Sequence, residues 1–200
     1  MNIKESLSLV DCGEIIFDVN LKKYNTYNVD CVALAIVFPN NIEQLKKVIK
    51  FCNENKIKVK LIGNGSNLIF SEKYYDIVFI NLKNFNNIDI TDNIVTASSG
   101  VNLMKLAYRV SRAGLTGMEF ATGIPATVGG AVYMNAGAYN SDISNVLISG
   151  KILDENLNII ELSNIDFDFS YRHSFLQENR NLICLEATFK LEYGKKEEIL

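Results

Sequence analysis

A fold that mixes strands and helices is expected from three observations on this 200-residue chain. A β-branched and aromatic run, Val32–Phe38, is followed by a segment of helical periodicity and then by a second strand-like run, Ile57–Ile62. Further short strands recur to the end of the chain, with one more amphipathic helix starting after Asn102. Two glycine-punctuated loops, Gly63–Asn67 and Gly123–Gly130, interrupt this pattern and carry most of its chemical interest. The length suffices for one large domain or two small lobes, each with its own core.

Composition excludes several classes. The hydrophobic fraction of 48% is ordinary for a globular protein. The longest apolar runs fall far short of the roughly 20 residues of a membrane span. No basic segment followed by an apolar stretch opens the chain, so no signal peptide is expected and the location expected is cytoplasmic. The net charge of -3 gives no nucleic-acid footprint. Lys46, Lys47 and Lys50, then Lys56, Lys58 and Lys60, read as the wet face of a helix and of its neighbouring strand. Cys12, Cys31, Cys52 and Cys184 form no C-x-x-C pair, and His173 is the single histidine, so a zinc site is not expected. Buried, reduced thiols are the expected state.

Each element has its local reason. Pro39 closes the Val32–Phe38 strand. Ile42, Leu45, Val48, Ile49 and Cys52 then recur at helical spacing, with Asn40 or Asn41 as N-cap. Together with Ile57–Ile62 they make a strand–helix–strand unit, which predicts a parallel pair with a right-handed crossover. Ile77–Leu82 and Ile94–Ala97 are two more strands, separated by an Asn/Asp-rich turn. Leu103, Leu106, Ala107 and Val110 share one helix face, and Gly114 stands where a C′ glycine belongs. Val146–Leu153 and Asn158–Leu162 flank the hairpin-like turn Asp154–Leu157, and Leu182–Leu191 is a final strand. Lys195, Lys196, Glu197, Glu198 and Ile199 look like the first turns of a charged helix.

Three stretches could carry chemistry. In Gly63-Asn64-Gly65-Ser66-Asn67, glycines permit close backbone approach, and successive N–H groups can form an anion-binding nest. A plain inter-strand turn explains the same five residues equally well. The loop lacks the third glycine and following helix of a Rossmann fingerprint, and no lysine follows as in a Walker loop. In the second stretch, Gly123 to Tyr139, Pro125 fits the first position of a helix. That helix start would aim free N–H groups at phosphates, with Ile124, Ala126, Gly129 and Gly130 leaving room for a flat ligand. The alternative is a tight packing seam that needs small residues for steric reasons. The third stretch is Phe169-Ser170-Tyr171-Arg172-His173-Ser174. Arg172 offers a planar, permanently charged fork for a carboxylate or developing oxyanion, although a surface ion pair is the commoner fate of an arginine. Glu119 either faces a ligand beside Phe120 or pairs with Arg109 or Arg112. Tyr24, Tyr27, Tyr133 and Tyr139 are expected in the core or at its rim.

Taken together, these stretches resemble the UDP-N-acetylenolpyruvoylglucosamine reductase family. The resemblance rests on Gly63–Asn67, on Gly123–Tyr139 and on Tyr171-Arg172 with Ser174, with weaker support from Asn25-Thr26-Tyr27, Gly114-Leu115 and Gly117-Met118-Glu119-Phe120. It implies an α+β, two-lobed FAD-binding fold of the vanillyl-alcohol-oxidase/PCMH type, with lobes at 1–82 and 83–193 and the start of a helix at 194–200. Non-covalent FAD is the implied cofactor, held by Gly63, Asn64, Gly65, Ser66, Asn67, Gly123, Ile124, Pro125, Ala126, Gly129 and Gly130. The implied reaction reduces UDP-N-acetylglucosamine enolpyruvate to UDP-N-acetylmuramate with NADPH, in peptidoglycan precursor synthesis. Arg172 matches the family's catalytic arginine, which stabilises enolate-like charge on the substrate.

Departures from the family pattern fall at Asp30-Cys31, at Ala126, which is tolerable if its φ stays negative, and at Asn140, where glycine is frequent. His173 falls at a variable position and receives no catalytic role. The family continues into a third domain that supplies a proton-donating serine or cysteine and a late glutamate, and neither has a match here. The expectation is therefore a chain that binds FAD and does not turn over efficiently. Two rival readings stay open: another non-covalent flavin oxidase or dehydrogenase, since the first loop has no histidine for covalent attachment, and a non-catalytic flavin-binding module.

Overall fold

The structure, a computed structural model, describes residues 2–194. The helix expected to begin near the end of the chain lies, from residue 195 on, outside the described residues. The chain forms two compact units, Met1–Phe85 and Asn86–Leu200.

The first unit opens with α1 (Ile3–Ser8), whose N-terminus is closed by a capping box between Asn2 and Glu5. Strand β1 (Glu14–Asn20) pairs antiparallel with β2 (Val32–Phe38). Helix α2 (Ile42–Glu54) follows, then β3 (Lys58–Leu61) and β4 (Tyr74–Ile80). Asn41 is the N-cap of α2; its side chain accepts from the Gln44 N–H at 2.9 Å. Leu45, Val48 and Cys52 face inward, while Lys46, Lys47 and Lys50 pair with Glu43, Asp11 and Glu54 on the wet side.

The sheet order is β1-β2-β4-β3, with β2 and β3 both parallel to β4. The strand–helix–strand unit is thus parallel, but its two strands are not neighbours, because β4 lies between them. Side-chain chemistry explains the insertion. Six of the seven residues of β2 are buried, so it needs a partner on each edge. β4 ends in the buried run Ile77–Ile80, whereas β3 alternates exposed lysines with apolar residues and suits the edge. Val19, Leu21, Ile36, Phe38, Ile77 and Phe79 are the centre of this unit's core.

The second unit is built on a five-stranded antiparallel sheet. It begins with β5 (Ile88–Thr91), β6 (Ile94–Ser98), α3 (Leu103–Arg112) and the two-residue β7 (Leu115–Thr116). Next come α4 (Val128–Tyr133), β8 (Gly137–Ala138) and β9 (Ser141–Asp142). The unit closes with β10 (Leu147–Leu153), β11 (Ile159–Ser163), β12 (Ile183–Lys190) and β13 (Glu192–Tyr193). The order is β11-β10-β12-β6-β5. The Asn/Asp-rich segment expected as a plain turn contains β5, which forms a hairpin with β6.

Helix α3 is capped by Asn102 and buries Leu103, Leu106, Ala107 and Val110. Fully burying a leucine or valine side chain stabilises by roughly 1.5–3 kcal/mol. Gly114 takes φ 78° immediately after the C-cap Ala113, as its place in the sequence requires. Among the described residues no helix is long and apolar enough to cross a membrane. All four cysteines are free and buried, and burial pushes the thiols of Cys12, Cys52 and Cys184 up to about 11, 12 and 12.

Between β8 and β9 the chain reverses in two residues, Tyr139 (φ 52°) and Asn140 (φ 59°), with Ala138 paired to Ser141. Positive φ at both central positions is the mark of a type I′ turn, whose preferred sequence is Asn-Gly. Asparagine tolerates this conformation best among non-glycine residues, which accounts for Asn140 at a position where glycine is frequent. Asn140→Gly is expected to raise stability by up to about 1 kcal/mol, read as an increase in the denaturation midpoint.

Candidate functional site

In the first unit the Gly63–Asn67 loop leaves the edge strand β3. Gly65 is buried at φ 64°, and a side chain there would drive into the backbone of Tyr24 and Asn25. Its carbonyl accepts from the Thr26 N–H at 3.4 Å. Asn25 in turn is buried and accepts from the Val29 N–H while donating to the Leu21 and Val29 carbonyls. The loop is therefore shaped by a protein contact at Gly65. Gly63 is half-buried, and its carbonyl accepts from Asn81 Nδ2 at 3.1 Å. Asn64 and Asn67 are exposed and Ser66 is half-buried. The backbone N–H groups of Gly65 and Ser66 donate to no backbone carbonyl among the described residues. They retain the donor capacity of an anion-binding turn.

The second stretch, in the second unit, differs from expectation. Helix α4 starts at Val128, and Thr127 is its N-cap, its side chain accepting from the Gly130 N–H at 3.3 Å. Pro125 is not the first helical residue; it lies two positions before the cap. The N–H groups of Val128 and Gly129 donate to the carbonyls of Val101 and Ser99 at 2.8 and 2.9 Å, and that of Ala126 to Ile124 at 2.8 Å. The expectation of free N–H groups aimed at phosphates is thus corrected: the first turn of α4 is satisfied by the protein itself.

The glycines of this stretch separate by surroundings. A Cβ on Gly129 would stand 2.9 Å from Cβ of Ser99, so packing alone demands glycine. A Cβ on Gly123 would meet nothing within 4 Å, and this residue is exposed, as are Pro125 and Gly130. Ile124 and Ala126 are half-buried, and Ala126 keeps a negative φ.

The third stretch gives the most defined geometry. Ser170 and His173 exchange both backbone hydrogen bonds, at 3.2 and 3.1 Å, closing a two-residue turn over Tyr171 and Arg172. Arg172 sits at φ 57°, a left-handed conformation that costs an L residue of this kind about 1–2 kcal/mol. Its side chain is exposed, lies 5.4 Å from the Tyr171 ring centroid and forms no ion pair with any described residue. His173 faces Glu178 instead, at 3.3 Å.

The turn is tied to the end of α4 by Ser174 of the motif and by Asn135 and Gln177, which sequence reasoning did not single out. Asn135, buried and at φ 41°, donates to the Ser170 carbonyl at 2.9 Å. Ser174, fully buried, donates to the Tyr133 carbonyl at 2.7 Å. Gln177 Nε2 donates to the Tyr133 and Arg172 carbonyls at 3.0 and 2.9 Å. Glu119 forms no salt bridge with Arg109 or Arg112; it accepts from Thr116 Oγ1 and the Gly117 N–H at 2.6 and 2.8 Å. It lines an open pocket of about 420 Å³ with Gly117, Phe120, Tyr139 and Ser141. Tyr24 packs on Phe38, whereas Tyr27 and Tyr139 are exposed.

A family model described as FAD binding domain matches residues 33–163. The chain belongs to this FAD-binding family. A relative named UDP-N-acetylenolpyruvoylglucosamine reductase, from Caldicellulosiruptor saccharolyticus, is 42% identical over 93% of the chain and 60% of its own length. The solved UDP-N-acetylenolpyruvylglucosamine reductase of Thermus caldophilus is 29% identical, with a TM-score of 0.78 over 93% of this chain and 64% of that one. Physcomitrella patens BBE-like 1, at 17% identity and a TM-score of 0.70, shares the fold. The chain spans about three-fifths of the length of the curated relatives it matches. The α+β, two-lobed FAD-binding fold of the PCMH type is thereby established, as is the resemblance carried by the motifs.

One buried group in this FAD-binding chain is left over. Ser99 Oγ is enclosed and has no hydrogen-bond partner among the described residues. Ser99→Ala is expected to keep or raise stability by up to about 1 kcal/mol, because it removes an unsatisfied hydroxyl. Gly129→Ala is expected to cost about 1–3 kcal/mol through its collision with Ser99. In a Ser99→Gly background that cost falls, a coupling that a double-mutant cycle of denaturation midpoints reads directly.

Proposed function

We propose that the chain holds FAD non-covalently in a cytoplasmic, NADPH-dependent reductase that converts UDP-N-acetylglucosamine enolpyruvate to UDP-N-acetylmuramate for peptidoglycan. The observation that carries the reading is Arg172, an exposed guanidinium with no ion pair among the described residues, on a backbone held in a left-handed turn. The names of the relatives support this reading.

The lobes are proposed as 1–82 and 83–193, and each carries one of the two glycine loops. The residues fit such a group in two different ways. Gly65 and Ser66, within Gly63–Asn67, offer N–H donors to an anionic group. Gly123 offers open backbone surface to a flat one, Ile124, Pro125 and Ala126 follow it in the chain, and Gly129 and Gly130 shape the turn behind it. FAD, when bound, supplies the two-electron chemistry that links NADPH to the enolpyruvyl double bond.

The chain's own contribution is electrostatic. Hydride addition to the β-carbon moves negative charge towards the substrate carboxylate. A fixed cation there stabilises the transition state more than the ground state, which is what accelerates the step. Arginine suits this task because its fork is planar and stays protonated. Proton donation to the α-carbon is assigned to no residue of this chain.

Two outcomes check the reading. The purified protein, supplied with FAD, is expected to show flavin absorbance that separates from the polypeptide on acid precipitation; flavin retained by the denatured chain would point to covalent attachment. In the whole protein, Arg172→Ala is expected to cost about 3 kcal/mol, roughly a hundredfold, in the rate at which the enolpyruvyl sugar nucleotide reoxidises reduced flavin. An unchanged rate would remove Arg172 from the mechanism.

A further inference from the structure

Gln177 lies five residues beyond Arg172 and is half-buried in a short helical turn, Phe175–Gln177. Its side-chain nitrogen meets two backbone carbonyls, those of Tyr133 and Arg172, at 3.0 and 2.9 Å. Both partners are acceptors, so only the NH2 end of the amide can face them, and its two hydrogens are both used. The Tyr133 carbonyl also accepts from Ser174 at 2.7 Å, which fills its second lone pair. Arg172 therefore stands in a turn whose following carbonyl is anchored, through one amide, to the C-terminal end of α4. Asn135 anchors the other side of the turn through the Ser170 carbonyl.

We propose that Gln177 is the positioning residue for Arg172. It holds the arginine backbone in the left-handed conformation and thereby aims the guanidinium at a bound carboxylate. The inference rests on the reading of Arg172 as the residue that meets the substrate carboxylate. Gln177 itself touches no reacting atom. The alternative, a purely structural clamp, predicts that losing Gln177 changes stability alone.

Gln177→Met removes both donors at similar volume. Gln177→Glu places a carboxylate against two carbonyl oxygens, and protonation restores one donor. Two measurements separate the possibilities. The first is the intraresidue amide-to-Hα nuclear Overhauser effect of Arg172 in this chain, which is strong only while φ is positive. The second, in the whole protein, is flavin reoxidation by the enolpyruvyl sugar nucleotide. In Gln177→Met the Overhauser effect is expected to weaken. Reoxidation is expected to slow by on the order of tenfold or more, with FAD affinity unchanged, since small misplacement of a catalytic group is costly. In Gln177→Glu the rate is expected to be low at about pH 8 and to recover, relative to wild type, as the carboxyl gains its proton near about pH 5.5.

If Arg172→Ala is slow and Gln177→Met matches wild type, the positioning role is overturned and the reading of Arg172 stands. If Arg172→Ala matches wild type, the reading itself fails. The Overhauser effect then decides whether Gln177 holds the turn, and its persistence in Gln177→Met overturns that as well. Should Gln177→Met not fold, the pH recovery of Gln177→Glu decides, and a rate parallel to wild type across pH overturns the proposal.

Discussion

The carbonyl oxygen of Tyr133 accepts from both Ser174 and Gln177, and the position of Arg172 depends on that shared acceptor. Tyr133 is the last residue of α4, and the carbonyls of a helix's final turn need partners from outside the helix. For Tyr133 the segment after β11 provides them. The other end of α4 is closed in the same manner, its first N–H groups donating to the carbonyls of Val101 and Ser99. A six-residue helix containing two glycines has little stability of its own. Its two ends are therefore held by tertiary hydrogen bonds, and through them the loop after β6 and the arginine turn share one short scaffold.

This arrangement changes what the glycines mean. Gly65 and Gly129 stand where any side chain would meet protein atoms, the Tyr24–Asn25 backbone in one case and Ser99 in the other. Gly123 stands in the open. Glycine chemistry by itself cannot separate these cases, because the same residue answers a steric demand from the protein and a steric demand from a ligand. Of the two alternatives left open for the second loop, the packing seam is present at Gly129, and Gly123 leaves its backbone uncovered. In the first loop the N–H groups of Gly65 and Ser66 donate to no backbone carbonyl among the described residues.

Elements whose cause is local were legible. The Val32–Phe38 strand, the α2 helix with its Asn41 cap, and α3 with Asn102 before it and Gly114 after it all follow from periodicity and end signals within a few residues. The order of strands was not, because insertion of β4 between β2 and β3 is decided by which strands need two buried edges. Strand β5 was missed because Asn and Asp dominate its flanks, yet pairing with β6 overrides that weak local preference. Pro125 was placed at the helix start by the general preference of proline, whereas Thr127, two residues later, offers the side-chain oxygen that a cap requires.

The site divides along the same line. Arg172 was recognisable as a residue type with a matching motif, but its surroundings come from contacts spanning 35 to 44 positions, from Asn135 to Ser170 and from Tyr133 to Gln177. No periodicity reports on such pairs. A glutamine five residues after an arginine reads as an ordinary polar residue until its amide is placed between two carbonyls. What the fold adds to an exposed arginine is a fixed backbone, and a fixed backbone is what turns a mobile surface cation into a preorganised one. Electrostatic stabilisation of developing charge depends on that difference, since a guanidinium that must reorganise during the reaction gives back part of what it contributes. The left-handed φ of Arg172 is consistent with this argument: an unfavourable conformation of that size persists only where neighbouring hydrogen bonds over-determine it, and Asn135, Ser174 and Gln177 are those bonds.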